Sequence, residues 1–234
     1  MSDNNTFVGF PKESVGFLLA LARNNQRLWF QRHRDEYADN LLAPAADFVA
    51  VMGERLRRIS PHVVAIPKID QSIFRIHRDC RFSKDKSPYK THLGIWMWEG
   101  DGGKNGNSGF YFHLEPPNLM LGVGMYIFHK PMLQEYRDSV VHSRYGPALT
   151  RALAAVRRSG PYTIGGKRYV RTPRGYDPQH KRAELLLYGG LWAGLETPIP
   201  KELYTPKIVD YCYNHFKNML PLHKWQLAMK KRVE

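Results

Sequence analysis

The 234-residue chain carries 35 lysine and arginine residues against 21 aspartate and glutamate residues, a formal net charge of +14. The length suffices for a real hydrophobic core, and no stretch is long and apolar enough to cross a bilayer. The charge favours anionic partners such as nucleic acid, nucleotides, phosphorylated metabolites or acidic membrane surfaces. The surplus of positive charge is concentrated in residues 75–90, 157–182 and 224–232.

The first third of the chain predicts helices. Pro11 suits the first turn of one helix, and Asn24-Asn25 can cap the next. The clearest helix has apolar side chains every three or four residues along one face and ends before Pro61. These side chains belong to Leu42, Ala45, Val49, Met52, Leu56 and Ile59.

The middle third predicts neighbouring antiparallel strands, because apolar and polar residues alternate there. Residues 72–79 form the first such run, with Arg75, His77 and Asp79 expected on one face. Further strands are predicted over residues 93–98, 110–115 and 119–127. In the run 110–115, Phe110, Phe112 and Leu114 alternate with Tyr111, His113 and Glu115.

The last third predicts both kinds of element. Gly165-Gly166 lies between the short runs 162–164 and 167–170 and indicates a compact hairpin. Asp177 before Pro178 indicates the start of a short helix, and Pro221 indicates the start of a last helix. The fold class expected from the whole chain is α+β, with helices packed against one antiparallel sheet, a helical N-terminal third and a helical C-terminus. We expect a single domain over residues 7–234, preceded by a disordered tail over residues 1–6.

Residues 75–90, which we call the basic segment, hold the most informative pattern. Six lysines and arginines occur there against two aspartates. Arginine offers a planar fork for phosphate or carboxylate, and lysine offers a mobile point charge. The backbone amides of a loop add further hydrogen-bond donors. The pattern indicates an anion-binding loop at the end of a strand, or else a solvated turn whose arginines pair with nearby acids. In the first interpretation Asp79 orients the arginine forks, and Tyr89 covers the ligand or forms a hydrogen bond with it. The cations that surround the ligand are Arg75, Arg78, Arg81, Lys84, Lys86 and Lys90.

The basic segment also carries a family resemblance, in Arg78-Asp79, Arg81-Phe82-Ser83-Lys84-Asp85-Lys86 and Pro88-Tyr89-Lys90. It resembles the signature of a widespread set of conserved hypothetical proteins, domain of unknown function 2461. Further matching positions are Asn24-Asn25, Trp29-Phe30, Tyr37, Gly109, Tyr111, Arg137, Gly175-Tyr176-Asp177 and His180. The resemblance implies a single α+β domain and no established activity. Lys181 departs from the family pattern, where a proline is expected, which affects the helix predicted to begin near Pro178.

A second candidate segment covers residues 171–180. Asp177 is a good helix cap, and His180 is expected in the first turn of the helix that follows. The functional alternative is that this helix start supplies backbone amides beside Arg174 and Tyr176, as a second wall of an anion pocket.

Three functions remain open from the sequence. The first is a module that binds a phosphate-bearing ligand, whether phosphate, nucleotide or nucleic acid. The second is an enzyme acting on phosphate esters or nucleic acid, in which cations stabilise developing charge and Asp79, Asp177 or His180 is the acid or base. The third is a structural ion-pair motif in a protein-interaction domain.

Metal binding has little support in the sequence. His77 and Asp79 share a predicted strand face that His92 could approach, but the surrounding arginines and lysines repel a cation and no compact ligand signature exists. We therefore predict no metal site and identify no cofactor.

The compartment is expected from the cysteines and the first residues. Cys80 and Cys212 lie far apart and outside any metal-spacing motif, and two free thiols are typical of a reducing compartment. Residues 1–6 lack the basic start and apolar centre of a signal peptide. We therefore expect a cytoplasmic protein.

Overall fold

The computed structural model describes residues 7–101 and 103–233, so the tail predicted over residues 1–6 lies outside the described part. The α-helices are α1 (Lys12–Arg23), α2 (Arg27–Arg32), α3 (Arg34–Tyr37), α4 (Ala43–Leu56), α5 (Lys130–Val141), α6 (Tyr145–Ser159) and α7 (Lys207–Lys230). A π-helical turn covers Ala38–Leu42, and 3-10 helices cover Ala183–Leu187 and Lys201–Tyr204. The strands are β1 (Val63–Val64), β2 (Leu93–Glu99), β3 (Ser108–Glu115), β4 (Asn118–Met125), β5 (Thr163–Lys167) and β6 (Tyr188–Pro198).

Within the described residues the strands form a six-stranded antiparallel sheet, in the order β1-β2-β3-β4-β6-β5. The N-terminal third is helical, and a long helix lies at the C-terminal end. The predicted α+β class is therefore confirmed. None of the helices in the described ranges combines the length and the hydrophobicity that a membrane span requires.

The chain divides into two compact units, each made of several segments. The first unit comprises residues up to Met97, Tyr111–Leu121 and Glu196–Asn214, and the second comprises Trp98–Phe110, Gly122–Leu195 and the residues from His215 onward. A single domain over residues 7–234 stays a prediction. Limited proteolysis that released two stable halves would contradict it.

The core of the first unit joins α4 to β3. The predicted face of α4 is buried at Ala45, Val49, Met52 and Leu56. Phe48, also buried, packs its ring on Phe112 of β3 with ring centroids 4.9 Å apart. The helical period of α4 and the alternation of β3 therefore direct their apolar faces into the same core.

Leu56→Ala is expected to lower the free energy of unfolding by about 2–5 kcal/mol, because Leu56 is fully buried and its truncation leaves a cavity. Leu28→Ala is the matched control, since Leu28 is 67% exposed; its effect should stay within about 0.5 kcal/mol. Urea unfolding of both variants measures the difference. Equal effects would show that the α4 face does not form the core.

Three predictions about the second unit are wrong. Pro221 lies inside α7 and does not begin a last helix. Residues 163–167 form the single strand β5, which pairs antiparallel with β6, instead of the turn of a hairpin. Gly166 has a φ of +109°, and a Cβ there would lie 2.3 Å from the carbonyl oxygen of Gly190, so glycine permits a bulge against the neighbouring strand. Residues 178–182 form turns and not an α-helix, because Asp177 bonds the backbone of Gln179 (2.8 Å) in a local turn.

The run 72–79, predicted as a strand, lies outside the six strands. It makes isolated bridges from Ile73 to Ile95 and from His77 to Tyr89. The predicted alternation still holds, since Arg75, His77 and Asp79 are exposed. The error concerns the length of the pairing, which local alternation does not determine.

Candidate functional site

The basic segment folds back on itself like a hairpin. The backbone N–H of Arg78 donates to the carbonyl of Pro88 (2.9 Å), and that of Lys90 donates to the carbonyl of Ile76 (2.8 Å). Residues 75–79 and 88–90 therefore run antiparallel, with the loop 80–87 between them. This loop carries four of the eight lysine, arginine and aspartate residues of the segment.

Side chains inside the loop fix its conformation. Asp85 accepts hydrogen bonds from the backbone N–H (2.9 Å) and the hydroxyl (2.6 Å) of Ser87, and its other oxygen pairs with Arg78. Lys86 donates to the carbonyl of Cys80 (2.9 Å) from the opposite side. The Arg78 guanidinium bonded to Asp85 holds the pKa of that carboxyl well below its usual range. The loop is thus ordered by charge-assisted hydrogen bonds.

Asn25 ties the basic segment to the N-terminal helices. Its side-chain amide donates to the carbonyl of Tyr89 (2.9 Å) and accepts from the backbone N–H of Tyr89 (3.0 Å). The predicted role of Asn25 as a helix cap is therefore wrong, because α2 begins after Gln26 without a side-chain cap. This double hydrogen bond places the start of α2 beside the basic segment.

A pocket of about 650 Å³ lies between α2 and the basic segment. This volume is within the range of ordinary ligand sites, roughly 300–1,000 Å³. The lining contains five lysines and arginines against one carboxylate, that of Asp79. Its residues are Arg27, Gln31, Arg75, His77, Arg78, Asp79, Cys80, Arg81, Lys86, Pro88 and Tyr89.

Two of the lining arginines have guanidinium groups that are not bonded to another described residue. The exposed guanidinium groups of Arg27 and Arg75 make no hydrogen bond or ion pair with any residue in the described ranges. They come from α2 and from the extended arm of the basic segment. Their donors are therefore available to a ligand in the pocket.

Asp79 and Arg81 form a bidentate ion pair where the loop begins. The Nε and Nη2 atoms of Arg81 donate to the two carboxylate oxygens at 2.9 and 2.7 Å, as expected of an aspartate that orients an arginine fork. Both side chains face solvent, with exposed fractions of 77% for Arg81 and 45% for Asp79. The Arg81 hydrogen bonds lower the pKa of Asp79 to about 2, so Asp79 is ionised at neutral pH.

Arg81→Ala is expected to raise the pKa of Asp79 from about 2 toward the ordinary aspartate value of about 3.9, because the main hydrogen-bond donor to the carboxylate is lost. A carboxyl NMR titration of both proteins measures the shift. Any stability that the depressed pKa contributes is present above the unfolded pKa and is lost as pH falls through the folded pKa. Matching titration curves would show that Arg81 does not hold Asp79 in solution.

Three residues that were predicted to contact the ligand have positions that differ from the prediction. Lys84 is exposed and outside the pocket lining. Lys90 is also outside it, where it donates to the carbonyl of Arg75 (2.8 Å). Tyr89 belongs to the lining but is buried, with its ring stacked on Phe30 at 4.2 Å. Tyr89 therefore contributes to the wall of the pocket.

The second candidate segment, residues 171–180, belongs to the second unit. The hydroxyl of Tyr176 donates to Asp138 (2.8 Å), while the Nδ1 atom of His180 accepts from the backbone of Arg182 (3.2 Å). Arg174 is exposed in a turn. Because no α-helix begins at Pro178, the expected helix start cannot supply amides to an anion. A ligand role for Arg174 and Tyr176, or a catalytic role for Asp177 and His180, stays a prediction.

A second polar cluster of the first unit joins His92, just before β2, to His113 and Glu115 of β3. The Nε2 atom of His113 lies 3.2 Å from Glu115 Oε2, and the Nδ1 atom of His92 lies 4.0 Å from Glu115 Oε1. Burial and the neighbouring His113 lower the pKa of His92 to about 4. The sequence-based grouping of His92 with His77 and Asp79 is not observed.

The second unit contains a buried serine, histidine and glutamate in a row. Ser108 lies 2.8 Å from His223 Nδ1 and donates to Gln226 (2.8 Å), and His223 Nε2 lies 3.1 Å from Glu99. Ser108 is fully buried and His223 nearly so. Such a row resembles a nucleophilic triad in residue type, but a nucleophile must reach its substrate. The network therefore has a structural role, satisfying buried polar groups where β2 and β3 meet α7.

The fold and the site together define an α+β protein with a basic pocket. The family model described as "Conserved hypothetical protein (DUF2461)" matches residues 13–225, which is most of the chain, and the protein belongs to this family. A search of the curated proteins found no match, and a search of the solved structures found none either.

Proposed function

We propose that the protein binds a phosphate-bearing ligand in the pocket between α2 and the basic segment. The observation that carries this proposal is the pair Arg27 and Arg75, whose guanidinium groups line the pocket without a hydrogen bond or an ion pair in the described ranges. Arginine forks match the geometry of phosphate oxygens. Arg78, Arg81 and Lys86 add positive charge around the same space.

Exposure of the ion pairs favours binding over a purely structural motif. Arg78 pairs with Asp85, and Arg81 pairs with Asp79, at side chains that keep contact with solvent. Solvated pairs of this kind contribute only about 0–1 kcal/mol to stability. A lattice needed to hold the fold would instead be buried and closed.

Phe82 favours a ligand that carries a base. Its side chain is 96% exposed at the tip of the loop, 5.9 Å from the Arg81 guanidinium. Exposed aromatic rings beside cations stack nucleobases, each stack contributing about 1–3 kcal/mol. We therefore infer a nucleotide or single-stranded nucleic acid as the ligand, with phosphates in the pocket and a base on Phe82.

Binding also fits Asp79 better than general-base catalysis does. A carboxylate with a pKa of about 2 is a weak base at neutral pH, and general bases work best with a pKa near the working pH. Asp79 is suited to orienting Arg81. We further propose a cytoplasmic location, because Cys80 and Cys212 are free thiols.

Fluorescence anisotropy with a labelled oligothymidylate and thermal-shift assays with nucleotides and pyrophosphate test the proposal. If the five lining cations each neutralise one phosphate, the log–log slope of affinity against salt should be about −3.5 on single strands and about −4.5 on duplex DNA. Phe82→Ala should weaken the oligonucleotide about tenfold and leave pyrophosphate unchanged. Failure of every probe to bind at low salt would contradict the proposal.

A further inference from the structure

We propose that His92, His113 and Glu115 bind one divalent transition-metal ion of the zinc type. The proposal is independent of anion binding, because it rests on a different set of side chains. One donor atom from each of these residues lies within 4.8 Å of the other two. Two imidazoles and one carboxylate are a ligand set that zinc and non-haem iron sites share.

The distances within the cluster suit a shared ion. Bonds of about 2.0–2.2 Å around a tetrahedral zinc place neighbouring donor atoms roughly 3.3–3.5 Å apart. The distance between His113 Nε2 and Glu115 Oε2 is 3.2 Å, and that between His92 Nδ1 and Glu115 Oε1 is 4.0 Å. The two imidazole centroids are 4.3 Å apart, and binding one ion requires the side chains to rotate so that all three donors face it.

Neighbouring side chains orient two of the ligands. The hydroxyl of Tyr111 lies 2.8 Å from His113 Nδ1, which leaves Nε2 directed at the cluster. Thr91 donates to Glu115 Oε1 (3.2 Å). Partners of this kind fix the ring tautomer and the carboxylate orientation at metal sites. The strand period explains the arrangement, because Tyr111, His113 and Glu115 alternate along one face of β3.

Hydrogen bonding within the cluster does not account for the placement of His92. The hydrogen bond between His113 and Glu115 accounts for those two residues, but His92 makes no hydrogen bond with any residue in the described ranges. Its side chain is 26% exposed, so it is largely withdrawn from water while its imidazole faces the other two ligands. A metal ion bonded to Nδ1 satisfies this ring.

The ligand set determines which ions fit and what they can do. Imidazole favours zinc, iron, copper and nickel over calcium and magnesium. Three protein ligands leave at least one coordination position open, through which a bound ion can polarise water or a ligand oxygen. The charges of Lys90 and Arg78 act on His92, which reduces affinity for a cation and makes the single carboxylate of Glu115 important.

The test uses chelator-treated full-length protein in a buffer without phosphate. Zinc is titrated against a chromophoric chelator, and cobalt(II) is added separately to record its visible absorption. The variants are His113→Gln, Glu115→Gln and Tyr111→Phe, with His62→Gln as the control because His62 is exposed and outside the cluster. Far-ultraviolet circular dichroism checks that each variant folds.

We expect the wild type and His62→Gln to bind one equivalent of zinc and to give four- or five-coordinate cobalt spectra. His113→Gln and Glu115→Gln should weaken zinc at least about tenfold, and Tyr111→Phe about tenfold. Glu115 is exposed, so its variant should fold even if another does not. Less than one equivalent in the wild type, or unchanged affinity in Glu115→Gln, would overturn the proposal.

Discussion

The double variant Arg27→Ala/Arg75→Ala is expected to weaken binding of a labelled oligothymidylate at least about a hundredfold. Each guanidinium group lines the pocket without a hydrogen bond or an ion pair in the described ranges, so its donors are available to phosphate. A hydrogen bond to a charged group contributes about 1.5–3 kcal/mol, and about 2.7 kcal/mol corresponds to a hundredfold. Anisotropy titrations at fixed salt measure the change.

A matched control separates local recognition from general charge. Arg23→Ala/Arg58→Ala also removes two positive charges, but from exposed positions outside the pocket lining. Its affinity should fall much less than that of Arg27→Ala/Arg75→Ala, because neither side chain lines the pocket and exposed charges are screened by salt. If both double variants lose affinity equally, binding depends on net charge and the pocket is not the site.

Denaturant unfolding adds a second control. The guanidinium groups of Arg27 and Arg75 make no hydrogen bond or ion pair within the described residues. Their removal should therefore change the free energy of unfolding by less than about 0.5 kcal/mol. A large loss of stability in Arg27→Ala/Arg75→Ala would instead assign them a structural role. The binding result is therefore interpretable only beside the unfolding result.

Local patterns predicted the framework of the fold because the signals are short in range. Leu56 and Met52 repeat with the helical period and are both buried, and Phe110 and Phe112 repeat with the strand period and are also buried. These patterns need only a few consecutive residues. The turn at Asp177 was misjudged because a capping aspartate serves a local turn as well as a helix.

Long-range pairing was beyond sequence reasoning. Asn25 and Tyr89 are 64 residues apart, and nothing in either neighbourhood indicates their double hydrogen bond. Arg27 and Gln31 were therefore missed as pocket residues, although the family resemblance at Asn24-Asn25 lay close to them. The family match at Asn24-Asn25 is the only signal in the sequence, and it does not distinguish a tether from a helix cap.

The histidine cluster shows the same limit. Alternation along residues 110–115 correctly put His113 and Glu115 on one face. The approach of His92 depends on the pairing of β2 with β3, which adjoin in the sheet, and alternation fixes a face without fixing the partner. The sequence instead grouped His92 with the nearer His77.

The pocket is supported from behind by a buried aromatic ring. Phe30 of α2 stacks on Tyr89 at 4.2 Å and contacts His77 edge-on at 6.1 Å between centroids, and both partners line the pocket. The helix that supplies Arg27 therefore also supplies the ring behind the basic segment. Stability and ligand geometry are linked at this one position.

Phe30→Ala is expected to lower the free energy of unfolding by about 3–5 kcal/mol, since truncation of a buried phenylalanine leaves a large cavity. It should also weaken oligothymidylate binding at least about tenfold, because Tyr89 and His77 lose the ring that positions them. Phe48→Ala is the matched control: Phe48 is fully buried and packs on Phe7, Phe10 and Phe112, none of which lines the pocket. It should cost similar stability and leave affinity unchanged when both variants are titrated well below their melting temperatures. Equal affinities in the two variants would show that the aromatic wall does not set the geometry of the site.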